Sequence, residues 1–491
     1  MADPRIQLAK RFDEANRYAN FGNVLSRLEV RGFRGHTNTT IEFRSPVTAI
    51  SGANGTGKTT LLQLAACAYR EGAAGFRVSD FFAVGPLDPA PFQPQAQFSV
   101  GVWQNDRTNR FYAIARGRSR WSAYRARDER RVVMLSAADF LPRVDSQDFA
   151  FRYARQLKVG ATVQCTAGVG AAVAKVIGMH YDDIARAEIS VAKRSASILS
   201  SRRGAVTYSE NHMGFGECRM HNLIDRLEQE PQKCLLVLEE PETSLHQAAQ
   251  FRFGEYLIDL AIRRGHLILV STHSEHLLRA LPQASRIMLA RDHTGRVQTL
   301  PGLASLEAAS LMAEGHDKAV TVIVEDDVAY NVLAELLRAV DPLFLTTVGI
   351  IVGGYRDDHG HVVGGGKDAI KVAMRTLQEA GLTIAAVLDA DAIPDPKAFV
   401  FCLPGSKPPE AELFADANVQ AHWAATYGLD VKSFLASLAG VDSHDWFDKL
   451  ASRVGQTREF IVGEAARVYA TANKDAARIL VEQLREAASN K

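Results

Sequence analysis

The chain has 491 residues, 47% of them hydrophobic and 23% charged, and its 57 Lys+Arg against 56 Asp+Glu leave a formal net charge of +1. That composition excludes a disordered or fibrous chain, and the length predicts two or three domains. The near-zero charge neither requires nor forbids a nucleic-acid partner, so any basic surface must be local.

Five scattered cysteines without a C-x-x-C pair predict reduced thiols rather than a zinc or disulfide framework. No run approaches the roughly 20 apolar residues of a membrane span. The charged N-terminus lacks the apolar centre of a secretory signal. A cytoplasmic protein without membrane contact is expected.

Residues 1–20 read as a short amphipathic helix. In VLSRLEVRGFRGHTNTTIEF (24–43), Leu28, Val30 and Phe33 alternate with polar residues, as in a half-buried strand, and a second strand is predicted over Thr40–Phe43. The apolar stretch 46–50 then runs into SGANGTGKTT (51–60), where Gly52, Gly57, Lys58 and Thr59 fill the pattern G-x-x-x-x-G-K-[ST]. A helix-forming run, Leu61–Ala66, follows. Strand, glycine loop and helix in that order cradle phosphates, because backbone N–H groups and the helix N-terminus converge on the anion. Asn54, Gly55, Thr56, Gly57, Lys58, Thr59 and Thr60 are the predicted ATP contacts. Lys58 would reach the β- and γ-phosphates and Thr59 would ligate Mg²⁺.

Residues 98–106 and 110–117 read as two strands joined by a polar turn. After them Arg116, Arg118, Arg120, Arg125, Arg127, Arg130 and Arg131 interleave with Trp121 and Tyr124. This mixture suits stacking and backbone contacts on nucleic acid, or a solvated arginine-rich sheet edge. Residues 138–200 are predicted mainly helical.

Met213-Gly214-Phe215-Gly216-Glu217 precedes a helix with apolar Met220, Leu223, Ile224 and Leu227, a second place where an anion could sit on a helix N-terminus. CLLVLEEPETSLH (234–246) is a buried strand ending in Glu239 and Glu240. Strand ends line the ligand crevice of an open α/β sheet, so Glu239 suits Mg²⁺ contact and Glu240 suits polarising the attacking water. A further buried strand, in 266–278, ends at Ser271-Thr272-His273-Ser274, where His273 could meet the γ-phosphate.

In this order, RLEVRGFRG, GANGTGKTT, MGFGE, LLVLEEPETSLH and STHS resemble the ATP-binding-cassette (ABC) ATPases of the SMC, Rad50 and RecF type over roughly residues 20–300. The resemblance implies a head-to-tail dimer in which Gly214 and Gly216 close on the partner's ATP and residues 242–246 make dimer contacts. Gly214 stands where that family usually has a serine.

Residues 291–318 read as loop and short helix, with the linker at 301–318. A new α/β pattern follows: strand Ala319–Val324 ending at Glu325-Asp326-Asp327, helix Val328–Val340, strand Thr346–Val352 ending in Gly353-Gly354, helix Ala369–Ala380, strand Leu382–Leu388 ending in Asp389-Ala390-Asp391, and strand Ala398–Cys402. Glu325, Asp389 and Asp391 would meet across one crevice as hard oxygen ligands for Mg²⁺ or Mn²⁺. The plain alternative is acidic caps on helix N-termini. Residues 415–491 read as mostly helical.

Glu325, Gly353-Gly354 and Asp389/Asp391 resemble a Toprim domain. An ABC-type ATPase followed by Toprim, with LPGSKPPEAEL, is similar to the overcoming-lysogenization-defect (OLD) nucleases. The resemblance implies an α/β protein: a P-loop ABC-type ATPase domain (1–300), a linker (301–318), a Rossmann-like Toprim domain (319–415) and a helical C-terminal extension (416–491). It further implies ATP with Mg²⁺ at the first site and Mg²⁺ or Mn²⁺ at the second, with Lys407, Glu410 and Glu412 assisting. Many OLD proteins carry a second acid where this chain has Ala329, leaving Asp326 or Asp327 to substitute. The expected function is an ATP-regulated nuclease in anti-phage defence. It would act on DNA in preference to RNA, as a homodimer or higher homo-oligomer, with an accessory defence protein as a further partner. The alternative is a RecF-like clamp or sensor that binds without cutting.

Overall fold

The computed structural model describes residues 3–489 except 73–74, 118–119, 123, 137–138, 140–147, 293, 357–361 and 364–365. The chain divides into two units, Met1–Ser305 and Leu306–Lys491.

The strands of the first unit are β1 (Val24–Arg31), β2 (Thr39–Glu42), β3 (Val47–Gly52), β4 (Gln97–Trp103), β5 (Asn109–Ala115), β6 (Val132–Leu135), β7 (Lys158–Gln164), β8 (Asp183–Val191), β9 (Arg194–Arg203), β10 (Val206–Ser209), β11 (Leu235–Glu239), β12 (Leu267–Ser271), β13 (Arg286–Arg291) and β14 (Val297–Pro301). The central sheet has the order β14-β13-β3-β12-β11-β6, parallel except for the edge strand β14. β3, β11 and β12 are covered on both faces; β11 and β12 are correspondingly near-continuous apolar runs, while β3 also buries Thr48 and Ser51. An antiparallel sheet, β2-β1-β4-β5, shares a core with it through Leu28, Val30, Phe33, Leu61, Leu64 and Phe98.

Several expectations are corrected here. The N-terminal segment forms two short helices, Pro4–Phe12 and Arg17–Phe21. The region expected to be mainly helical carries an antiparallel sheet, β10-β9-β8-β7, and among its described residues one helix of more than one turn, Ala167–Ile177. Ala185, Ala187 and Ile189 are buried while Arg186 and Glu188 are not. That period of two belongs to a strand, and a tight turn at Ala192 (φ +51°) folds β9 back on β8.

The arginine-rich stretch is partly internal, with Arg127 and Arg130 buried. Arg127 donates to the carbonyls of Tyr69 (2.8 Å), Phe76 (2.7 Å) and Cys67 (3.2 Å). Arg130 donates to those of Lys233, Asn23 and Phe21, and Arg131 pairs with Glu230 and Glu71. Trp121 stacks on Phe33. Arg127, Arg130 and Arg131 are thus cross-links of the fold, whereas Arg120 and Arg125 are exposed and Arg116 is half-buried; Arg118 lies outside the described residues.

The second unit adds β15 (Val320–Val324), β16 (Val348–Val352), the two-residue strands β17 (Tyr355–Arg356) and β18 (Val362–Val363), β19 (Ile384–Leu388) and β20 (Val400–Cys402). Its main sheet, β16-β15-β19-β20, is parallel throughout. Helix Lys367–Glu379 covers one face through Ile370 and Met374. Helix Asp327–Val340 covers the other, backed by the C-terminal helices Ala417–Tyr427, Trp446–Val454, Arg458–Ala472 and Lys474–Ser489. Residues 342–347, partly read as strand, are a helical turn closed by Pro342 and the Asp341 cap.

The stretch expected to be linker is ordered. β14 completes the first unit's sheet, while helix Ser305–Met312 places Leu306 on the second unit's core and Glu307 against Arg485. Among the described residues no helix is long and apolar enough to cross a membrane.

Candidate functional site

β3 delivers the chain into the glycine loop, and helix Lys58–Ala66 leaves it. Gly57 sits at φ +90°, and a Cβ there would lie 2.1 Å from His36 Nε2. Only glycine satisfies both the backbone and that close approach. Lys58 Nζ donates to the carbonyls of Gly52 (2.9 Å) and Ala53 (3.3 Å). Burial lowers its pKa, opposed by Glu240, Glu239 and Glu242. Thr59 Oγ1 donates to Glu239 Oε1, so the two groups expected to hold one Mg²⁺ already meet. Asn54 and Gly55 are exposed. Thr56 turns inward onto the Ala53 carbonyl (2.8 Å), and Thr60 is fully buried.

Glu240 follows β11 with φ +43°, and its N–H donates to the Ser271 carbonyl (3.1 Å). Its Oε1 lies 3.3 Å from His273 Nε2. Burial, and then the charge of Lys58, lower the His273 pKa, opposed by Glu240. Glu242, expected at a dimer contact, is instead buried: it accepts from the Thr272 hydroxyl and the His273 N–H (3.2 Å), anchoring the end of β12. Of residues 242–246, only Thr243, Ser244 and His246 are exposed.

Gly214 caps helix Phe215–Gln229 and has open space beside it. A Cβ on Gly216 would lie 2.6 Å from the Ser244 carbonyl. Glu217 Oε1 accepts from Tyr208 (2.7 Å) and Tyr181 (2.9 Å). Among the described residues nothing joins this turn to the phosphate loop of the same chain. Arg219, one helical turn on, donates to the Glu240 carbonyl (2.7 Å).

In the second unit, Glu325 and Asp389 stand at the carboxyl ends of adjacent strands β15 and β19. The Asp389 N–H donates to Glu325 Oε1 at 3.0 Å. Asp389 is 6% exposed, and its Oδ1 is buried with no hydrogen-bond partner among the described residues. Burial, then Glu325, Asp326, Glu410 and Asp391, push its carboxyl up to about 8. Burial also raises Glu325. Asp391 is more exposed and pairs with Lys367 at 2.7 Å. Gly353 fits tightly here, because a Cβ would lie 2.7 Å from Ile370 on the covering helix.

Three acids near this pair take different parts. Asp326 caps helix Asp327–Val340 by accepting from the Ala329 N–H (2.8 Å), while Asp327 is tied to Arg458. Glu410 is buried and meets His444 Nδ1 at 3.0 Å. Ala329 is fully buried, so its side chain offers no ligand. Glu412 folds back on the Ser406 N–H (3.3 Å). Lys407 lines a small cavity with Val332, Leu403 and Tyr469, and among the described residues no bond or ion pair joins it to the acids.

Two family models match the chain: "AAA domain" over residues 27–68, and "AAA domain, putative AbiEii toxin, Type IV TA system" over 104–279. Together they span the phosphate loop, the Gly214 turn, Glu239–Glu240 and His273. Over those residues the first unit is similar to AAA-type ATPase domains. No curated protein matches the sequence. Among solved structures, the SMC head domain from Thermotoga maritima aligns at 15% identity, TM-score 0.32, over 56% of this chain and 98% of its own. The Pyrococcus furiosus Smc head domain with an extended coiled coil, bound to the C-terminal domain of ScpA, aligns at 14% identity, TM-score 0.35, over 57% and 96%.

The ATPase domain uses residues that sequence reasoning missed. His36 bonds Thr39 Oγ1 (3.0 Å) and the Gly57 carbonyl (3.1 Å), and Arg291 donates to the Gly55 carbonyl (2.5 Å). Both brace the loop from outside its motif. Lys367 and His444 were missed likewise, since a lone lysine at a helix start or a lone histidine in a helical turn carries no spacing signal.

Proposed function

We propose that the protein is an ATP-regulated, Mg²⁺- or Mn²⁺-dependent nuclease of the OLD type, with a Toprim-like second unit, DNA as substrate and a homodimer as working form. The observation that carries this reading is the Glu325–Asp389 pair at adjacent parallel strand ends, with Asp391 beside it. The buried, unpartnered Asp389 Oδ1 fits a cation rather than a cap. A bound divalent ion would supply hydroxide and neutralise the scissile phosphate. Glu325 and Asp389 would hold it, and Lys367 offers positive charge at the open side, next to Asp391. In the ATPase domain, Lys58 exchanges two carbonyls for phosphate oxygens, Glu239 and Thr59 orient Mg²⁺, and Glu240 with His273 positions water. Gly214 and Gly216 act across the dimer. The defence setting rests on the family resemblance, and the matched description of a putative toxin agrees with it.

The test is parallel cleavage of plasmid, single-stranded DNA and total tRNA with ATP and Mg²⁺ or Mn²⁺. Cutting that Asp389→Ala abolishes is expected. If none of the three is cut, the nuclease reading fails. Binding without cutting, lost in Lys58→Ala, then favours the clamp, which the buried Ala329 at the second-acid position would suit.

A further inference from the structure

Beside the Glu325–Asp389 pair, three side chains from separate elements converge: Asp326 at the end of β15, Glu410 at the start of helix Pro409–Ala415, and His444 in a turn of the C-terminal helical region. One ligand atom from each lies within 4.8 Å of the others. A cation about 2.0–2.2 Å from each ligand needs them roughly 3–4 Å apart, so a pair at that limit closes by about 1–2 Å. Glu410 is 1% exposed; its Oε1 meets His444, but its Oε2 is buried and has no hydrogen-bond partner among the described residues. An ion pair with His444 would explain the first oxygen. It explains neither the second nor the arrival of Asp326 at the same point. Among the described residues, Lys367 pairs with Asp391, and Arg458 pairs with Asp327 and Asp448 while its charge also reaches Glu410.

We propose that Asp326, Glu410 and His444 form a second divalent-cation site, in which the C-terminal helical region supplies a nitrogen ligand. One nitrogen with two carboxylates suits Mn²⁺ or a neighbouring transition ion over Mg²⁺. His444 is more than half exposed on its outer side, which leaves an entry path. As a partner to the cation at Glu325 and Asp389, the site rests on the nuclease reading; as a cation site it stands by itself.

The test is pulsed EPR of Mn²⁺ on the full chain, which detects a directly bound imidazole nitrogen, together with Mn²⁺ titration. Wild type is expected to show the nitrogen coupling and His444→Ala to lose it, with one Mn²⁺ equivalent weakened at least tenfold. Glu410→Gln weakens the same equivalent, and His273→Ala leaves the coupling in place. Coupling absent from wild type at saturating Mn²⁺, or unchanged in His444→Ala, overturns the proposal. Cleavage lost in Asp389→Asn alongside either result leaves the nuclease standing without this site. Coupling without any cleavage leaves the site standing without the nuclease.

Discussion

The N–H of Asp389 donates to Glu325 Oε1 at 3.0 Å, tying the carboxyl end of β19 to that of β15. One bond thus sets two carboxylates from residues 64 apart at a common point, where burial and repulsion make a proton on Asp389 hard to remove.

This carries a pH dependence. An unfolded aspartate titrates near 3.9, while folded Asp389 titrates at about 8. Between those values the folded state binds more protons, so stability falls as pH rises from about 4 to 8. In EDTA, the melting temperature should drop between pH 6 and 8 by at least about 3 °C, near 1 kcal/mol for a unit of this size. Asp389→Asn should flatten that slope, and Mn²⁺ should reverse it by replacing the proton. An Asp389→Asn slope equal to wild type would remove Asp389 as the cause.

Lys58→Ala removes the cation that bonds the Gly52 and Ala53 carbonyls. ATP-induced thermal stabilisation should vanish and ATP turnover fall about 100-fold or more, with the fold intact by circular dichroism. Retained ATP stabilisation would move phosphate binding away from this loop.

Glu240→Gln keeps the shape of the Glu240–His273 contact and removes its charge. ATP binding should persist while the turnover number falls about 10²–10⁴-fold, the range for loss of a general base. A similar loss of ATP affinity, read by thermal shift, would assign Glu240 to binding rather than to water.

His36→Ala deletes the buried ring that braces the Gly57 carbonyl. A loss of about 1–3 kcal/mol in chemical denaturation is expected, together with weaker ATP binding. Gly57→Ala should be worse, since it adds the clash with His36 to a left-handed backbone. If His36→Ala leaves ATP affinity untouched, the brace does not reach the nucleotide.

Arg127→Met tests the internal role of the arginine-rich stretch. Orphaning the Cys67, Tyr69 and Phe76 carbonyls should destabilise by about 3 kcal/mol or more. The salt dependence of nucleic-acid binding should keep its slope, whereas a lost phosphate contact would lower it by about one. A lowered slope would return Arg127 to the nucleic-acid face.

Much of this molecule was legible in one dimension. The loop 51–60, the buried strands ending at Glu239 and His273, and the acids ending β15 and β19 are local signals: glycines where the backbone must turn, and apolar runs where a parallel sheet is covered on both faces. The β7–β10 sheet was not legible, because short apolar residues at a period of two in β8 sit among helix-forming alanines and only strand pairing decides between them. The arginines were ambiguous for a like reason. A guanidinium bonded to buried carbonyls and one facing solvent have the same sequence.

The sequence by itself determined which groups could do chemistry: the phosphate loop, the paired glutamates at the end of β11, and the acids after β15 and β19. Tertiary structure alone decided which of them meet. It brought His36 and Arg291 to the phosphate loop, withdrew Glu242 into the core, left Lys407 aside while placing Lys367 on Asp391, and gathered Asp326, Glu410 and His444 within 4.8 Å. The reason is physical. Loop and strand motifs are set by neighbours along the chain, whereas a ligand set built from a strand end, a helix start and a distant turn exists only once the sheet and its covering helices have packed.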